Sequence, residues 1–178
     1  MQAQIHPAGP LYPLEARRRG ELQRLTGLSA VANLPGHILR RQAEQLEKRL
    51  AGRLTQPVAQ IELPAMGAGT VAFLYAVGEN GGLGGFTGLG ERGKPAERVA
   101  DEAVNALQTY LASSAAFDPH LADQILLPLA LIPGSSHFTA SAITPHLLTH
   151  AAVIRAFLPV AIEIRGELGR AGEVRVNR

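Results

Sequence analysis

His146 and His150 stand four residues apart in a stretch that reads as helix, so both imidazoles face the same way. Two such histidines can hold zinc, but no Glu follows His146 in the H-E-x-x-H manner and no third ligand is visible. Taken singly, a helical histidine is more often a satisfied polar residue than a catalyst. His120-Leu-Ala-Asp-Gln124 places polar groups at the start of an otherwise apolar helix. Asp118 suits the N-cap of that helix, with Pro119 at its first position. Capping does not account for Asp123 and Gln124, which lie beside Ile125, Leu126 and Leu127. A polar pair on an apolar helix needs partners or costs stability, so these two residues ask for a ligand. Gly88-Leu-Gly-Glu-Arg-Gly93 fits G-x-G-x-x-G, a pattern that lets backbone N–H groups approach a pyrophosphate. The stretch to Lys94 fits most of a P-loop as well, but Pro95 stands where Ser or Thr must supply a hydroxyl. A glycine-rich surface turn before a helix is the plainer reading.

The elements that position these residues follow from periodicity. Leu22 to Leu34 reads as a strand, broken by Pro35-Gly36. Ile38, Leu39, Ala43, Leu46 and Leu50 form one apolar stripe and predict a helix over His37 to Leu50. Val58 to Leu63 alternates as a short strand, and Thr70 to Val77 is nearly all apolar, as in a strand covered on both faces. Gly78 to Gly93 holds eight glycines and reads as a loop around a short edge strand at Phe86-Thr87. Pro95 opens a second helix with Val99, Ala103, Leu107, Tyr110 and Leu111 on its buried stripe. After Ser113-Ser114 come a helix over Pro119 to Leu131, a strand over Ser135 to Ala142 and a helix over Pro145 to Leu158. A terminal hairpin pairs Val160 to Arg165 with Val174 to Val176 around Gly166 to Gly172. The order is β-α-β-β-α, then α-β-α-β-β: an α/β or α+β chain in two pieces, with the break near Ser114.

The composition excludes several classes of function. The 178 residues contain no Cys, which removes a disulfide scaffold, a thiolate nucleophile and any Cys-ligated metal. With 46% hydrophobic and 18% charged residues the chain is globular rather than disordered. The longest apolar runs are too short to cross a bilayer, and the N-terminus lacks a signal layout, so the expected setting is the cytoplasm. A net charge of +2 permits a nucleic-acid partner without demanding one. Arg17, Arg18 and Arg19, and the tail's Arg165, Arg170, Arg175 and Arg178, read first as solvated faces.

Several separated stretches resemble the RNA 3'-terminal phosphate cyclases. They are Gly90 to Val104, His120 to Leu131, His146-Leu-Leu-Thr149 and Ala152 to Pro159, with Pro7-Ala-Gly-Pro10 and Val31-Ala-Asn-Leu-Pro35 as earlier landmarks. They run in order over nearly the whole chain. The resemblance implies an ATP-dependent enzyme of the ligase class. In that family a histidine attacks the α-phosphate of ATP, releases pyrophosphate and becomes a histidine-AMP phosphoramidate. AMP then passes to an RNA 3'-phosphate, and the neighbouring 2'-hydroxyl displaces it to close a 2',3'-cyclic phosphate. By resemblance the nucleophile falls on His146, and the ATP-contacting stretch on His120, Leu121, Ala122, Asp123 and Gln124.

Neutral imidazole is a competent nucleophile near pH 7. Asp123 either orients the imidazole or helps place the metal-bound phosphates. Divalent Mg or Mn is expected beside ATP, with no metal-ligand set assigned. The family fold is a large domain of repeated βαβ-type units with a smaller α/β domain inserted in the last unit. Residues 20–114 are then the inserted domain. The lead-in, 1–19, and the last unit, 115–178, belong to the large domain. The family usually has Asn where this chain has His150, and the resemblance covers only roughly the second half of the family. A separate N-terminal half chain is therefore a candidate partner beside RNA 3'-phosphate ends, with no membrane partner. The alternatives are a non-catalytic cyclase-like protein of RNA processing or ribosome maturation, and an inactive truncated fragment.

Overall fold

A computed structural model describes Gln4 and residues 9–178. Most of the lead-in before Gly9, including Pro7 and Ala8 of the first landmark, lies outside the described residues. The chain forms two mixed four-stranded sheets, each with helices on one face.

The first sheet has the order β3-β2-β4-β5. β2 (Leu22–Ala32) is central, parallel to β3 (Ala59–Glu62) and antiparallel to β4 (Gly69–Gly78). α1 (Gly36–Arg49) makes the crossover between the two parallel strands, as the apolar stripe predicts. α2 (Ala96–Leu111) lies beside it on the same face, burying Val99, Ala103, Leu107 and Tyr110. β4 is not covered on both faces. Ala72, Leu74 and Ala76 are fully buried under the helices, while Phe73 and Tyr75 point half-exposed to the other side. Its buried even positions are small or aliphatic and its half-exposed odd ones, Val71, Phe73, Tyr75 and Val77, are apolar too, so apolarity alone concealed a period of two.

The glycine-rich stretch is also more ordered than a loop. β5 (Leu83–Leu89) pairs with β4 along its whole length. The glycines are there for close approach: a Cβ on Gly88 would fall 1.9 Å from the Val99 carbonyl oxygen of α2. The helix sits directly on the edge strand.

The second sheet has the order β1-β6-β8-β7. β1 (Glu15–Ala16), which periodicity did not reveal, lies parallel to β6 (Ser135–Ala140). β7 (Ala161–Arg165) and β8 (Gly172–Asn177) form the expected hairpin, and β8 pairs with β6. The helix expected over Pro119 to Leu131 is broken into α3 (Pro119–Gln124) and α4 (Leu126–Leu131). Pro128 has no N–H for the Gln124 carbonyl, and its ring crowds that oxygen. With α5 (Pro145–Phe157) these helices cover Phe138, Ile162, Val174 and Val176.

Residues 116–118 tie the sheets together. Leu83 N donates to Ala116 O at 2.9 Å, and Phe117 N donates to Thr139 O at 3.1 Å. Arg19 is not a solvated cation. Its guanidinium donates to the Tyr110 and Ser113 carbonyls at 3.2 and 3.0 Å and lies over the Tyr110 ring.

Candidate functional site

α5 begins where its sequence says it should. The Thr144 hydroxyl accepts Leu147 N–H at 3.0 Å, and Pro145 fills the first turn. Leu147, Ala151 and Ile154 anchor the inner face. The four-residue spacing then turns His146 and His150 together toward α3. There one carboxylate meets both. Asp123 Oδ2 lies 2.8 Å from His146 Nδ1, and its Oδ1 lies 2.8 Å from His150 Nδ1. The ring centroids are 6.4 Å apart.

A carboxylate only accepts, so the hydrogen-bonded His150 Nδ1 carries the hydrogen, and the contact of His146 Nδ1 with Oδ2 is favourable only when that nitrogen is protonated too. In the neutral ring that leaves Nε2 unprotonated, with its lone pair directed away from Asp123. The Asp123 side chain is 14% exposed and the His146 side chain 81% exposed. The carboxylate is thus shielded and paired with two rings, while the His146 imidazole stands open to a reactant. Asp123 therefore has the partners that its place on an apolar helix demanded. Among the described residues no group of three or more His, Cys, Asp or Glu is placed to hold a metal ion. The expected divalent metal has no protein-built site in them, and no step below passes through one.

The remaining residues of the His120 to Gln124 stretch divide by helical phase. His120, Leu121 and Gln124 turn to a different face of α3 and line a cleft of about 600 Å³. Its other wall is the open side of the first sheet, with Phe73 and Tyr75 from β4 and Thr87 from β5. Ala122 lines neither this cleft nor the histidine cluster; it is fully buried in the core. The cleft joins aromatic and apolar walls to a few polar groups, the composition that takes a flat heterocycle. Phe73 and Tyr75 escaped the sequence reading because β4 read as covered on both sides. Their alternation with Ala72, Leu74 and Ala76 was the available signal.

Asp118 does more than cap. Its Oδ1 accepts His120 and Leu121 N–H at 2.8 and 3.1 Å, and its Oδ2 accepts Gly85 N–H at 3.1 Å. This one side chain pins the strand wall of the cleft to its helix wall.

The G-x-G-x-x-G stretch does not form a phosphate cradle. Gly88 lies inside β5. Lys94 is engaged by Leu89 O at 2.8 Å and by Glu91 and Glu102 carboxylates at 3.3 and 3.1 Å. Hydrogen bonding to Glu102 holds its ammonium above the usual lysine range. Acidic partners already occupy the lysine that a phosphate would need.

Comparison with known proteins bears on the whole chain. Residues 17–112 match the family described as RNA 3'-terminal phosphate cyclase (RTC), insert domain. A curated RNA 3'-terminal phosphate cyclase of Methanopyrus kandleri is 39% identical over 99% of this chain and 52% of its own length. Those of Methylococcus capsulatus and Ralstonia nicotianae are each 44% identical, over 94% and 90% of this chain and 46% and 45% of their own lengths. The chain thus spans about half the length of the curated relatives it matches. Since the insert-domain match alone covers more than half of its residues, the chain belongs to the RNA 3'-terminal phosphate cyclase family.

Proposed function

We propose that this chain carries the adenylylation centre of an ATP-dependent RNA 3'-terminal phosphate cyclase, with His146 as nucleophile. The observation that carries the reading is the Asp123–His146 pair. A carboxylate beside Nδ1 favours the Nδ1–H tautomer, which leaves the Nε2 lone pair of an exposed ring for attack on the α-phosphorus of ATP. Asp123 holds the ring and balances the positive charge that it gains, as the carboxylate does in other carboxylate-oriented imidazoles. The cleft beside His120, Leu121 and Gln124 takes the adenine. Of the five residues assigned to ATP, Ala122 acts only as core beneath it, and Asp123 acts through His146. AMP then moves to an RNA 3'-phosphate, and attack by the 2'-hydroxyl yields the 2',3'-cyclic phosphate. The setting that goes with ATP and RNA ends is the cytoplasm; no helix among the described residues is long and apolar enough to cross a membrane.

In this reading residues 20–114 are the inserted domain, while 1–19 and 115–178 belong to the last unit of the large domain. The partner surface is the outer side of α4 and α5. Leu127, Leu131, Val153 and Phe157 are exposed there, Phe157 by 83%. A helix layer that is apolar on both sides needs a cover. The occupant is a polypeptide equivalent to the half of the curated relatives that this chain does not span.

The test is incubation of purified chain with α-labelled ATP. Acid-labile, alkali-stable label on the protein is expected, and it disappears in His146→Ala. Undiminished label in that variant overturns the assignment.

A further inference from the structure

His150 reaches Asp123 with the same atom and at the same distance as His146, 2.8 Å from Nδ1 to a carboxylate oxygen. One carboxylate serves two imidazoles. We propose that His150 is a positioning residue: it holds Asp123 in place for His146, and its own protonation sets how much of the carboxylate's charge His146 can use. This rests on His146 being the nucleophile.

The two parts behave differently with pH. Neutral or protonated, His150 keeps a hydrogen on Nδ1 and goes on donating to Asp123 Oδ1, so the orientation of the carboxylate survives titration. The charge balance does not. When His146 Nε2 attacks, an N–P bond forms. The bond from phosphorus to the bridging oxygen breaks, and its electron pair leaves with pyrophosphate. The His146 ring gains positive charge while its hydrogen stays on Nδ1, beside Asp123 Oδ2. One carboxylate balances one cation. With His150 neutral, that balance serves His146. With His150 protonated, two like charges face each other across rings whose centroids are 6.4 Å apart.

Among the described residues, the elements packed against α5 bring no second unengaged carboxylate. α3 brings His120 and Asp123, and α4 brings no titratable side chain. Asp118, at the start of α3, is engaged by Gly85, His120 and Leu121. β7 brings Glu163 and Arg165, which pair with each other at 3.2 Å. Arg155 of α5 itself donates to Ile162 O at 3.1 Å.

Asn is the isostere of imidazole on its Nδ1 side, so His150→Asn keeps a donor to Asp123 and removes the titration. His150→Gln carries its amide one bond farther out, near the Nε2 position, and loses that donor. The experiment follows the imidazole ¹⁵N signals of purified wild-type, His150→Asn and His150→Gln chains against pH, with methyl dispersion reporting that each is folded. In the wild type the His146 signals respond to two proton uptakes. In His150→Asn they respond to one and keep the Nδ1–H tautomer, whereas in His150→Gln the tautomers mix. In the adenylylation assay, His150→Asn keeps most of the labelling rate and His150→Gln loses about tenfold or more. A His146 titration unaltered by His150→Asn overturns the proposal. Label retained in His146→Ala overturns the functional reading instead, and the two failures are distinct because the NMR coupling needs no ATP.

Discussion

Asp118 and Asp123 lie five residues apart at the two ends of a short helix and have different partners. Asp123 turns outward to two imidazoles. Asp118 is 2% exposed and accepts three backbone N–H groups, two from the first turn of α3 and one from Gly85 of β5. Replacing it by Ala removes an N-cap and leaves the Gly85 donor without its acceptor. The expected loss is about 3 kcal/mol, from roughly 1 for the cap and roughly 2 for the unpaired buried donor. Asp118→Asn keeps the cap but sets an NH₂ against Gly85 N–H, so it should recover only part of that loss. Urea unfolding measures both. If Asp118→Asn is as stable as wild type, the strand-to-helix tie has no energetic weight.

At the scale of elements, the first sheet depends on how closely α2 lies on β5. The glycine at 88 allows the Val99 carbonyl to sit where a side chain would begin. Gly88→Ala must push helix from strand, and the expected cost is about 2–4 kcal/mol. Thermal unfolding reads the cost. Weaker nucleotide binding should accompany it, because Thr87 and Leu89 of the same strand line the cleft. The ion pairs along the outside of the two helices are a weaker bond between them. Arg41 meets Glu97 through two hydrogen bonds, at 2.7 and 2.8 Å, and holds its carboxyl below the usual range. Both side chains are exposed, and such pairs contribute little in water.

At the scale of the molecule, the second layer is asymmetric in a way that sets its surroundings. The other face of its sheet carries the exposed Glu15, Glu163 and Arg165 around the half-buried Arg175 and the buried His137, a polar face. The outward face of α4 and of the C-terminal part of α5 exposes Leu127, Leu131, Val153 and Phe157, with Arg155 as its charged exception. In the proposed function, the sheet side faces water and the helix side faces the partner polypeptide. Mixing the chain with the unmatched half of the Methylococcus capsulatus relative should give a one-to-one complex in light scattering. Val153→Glu and Phe157→Glu should weaken that complex about tenfold or more, by burying charge in an apolar contact. A homodimer that excludes the added half, or a complex indifferent to both substitutions, would show that another surface or another occupant is involved.

Much of the fold was legible because periodicity is local. The stripe of α1, the proline starts of α2, α3 and α5, and the terminal hairpin all follow from spacings within about fifteen residues. The same local rule put His146 and His150 on one side of a helix before any tertiary contact was known. It failed where the decisive neighbour is distant. Gly88 reads as a loop residue until the carbonyl of residue 99 is laid over it, and β1 is a strand only because β6 lies beside it. The candidate site has the same division. Residue types and spacing determined two imidazoles on one side of a helix and a polar pair in want of partners. That the carboxylate at 123 closes on both rings, 23 and 27 residues away, was decided by the packing of α3 on α5. That His120 and Gln124 face Phe73 and Tyr75 was decided by the tie from Asp118 to Gly85. Side-chain direction is set by a residue's own helix or strand, but what it meets is set by long-range burial of apolar faces, which no short window of sequence records.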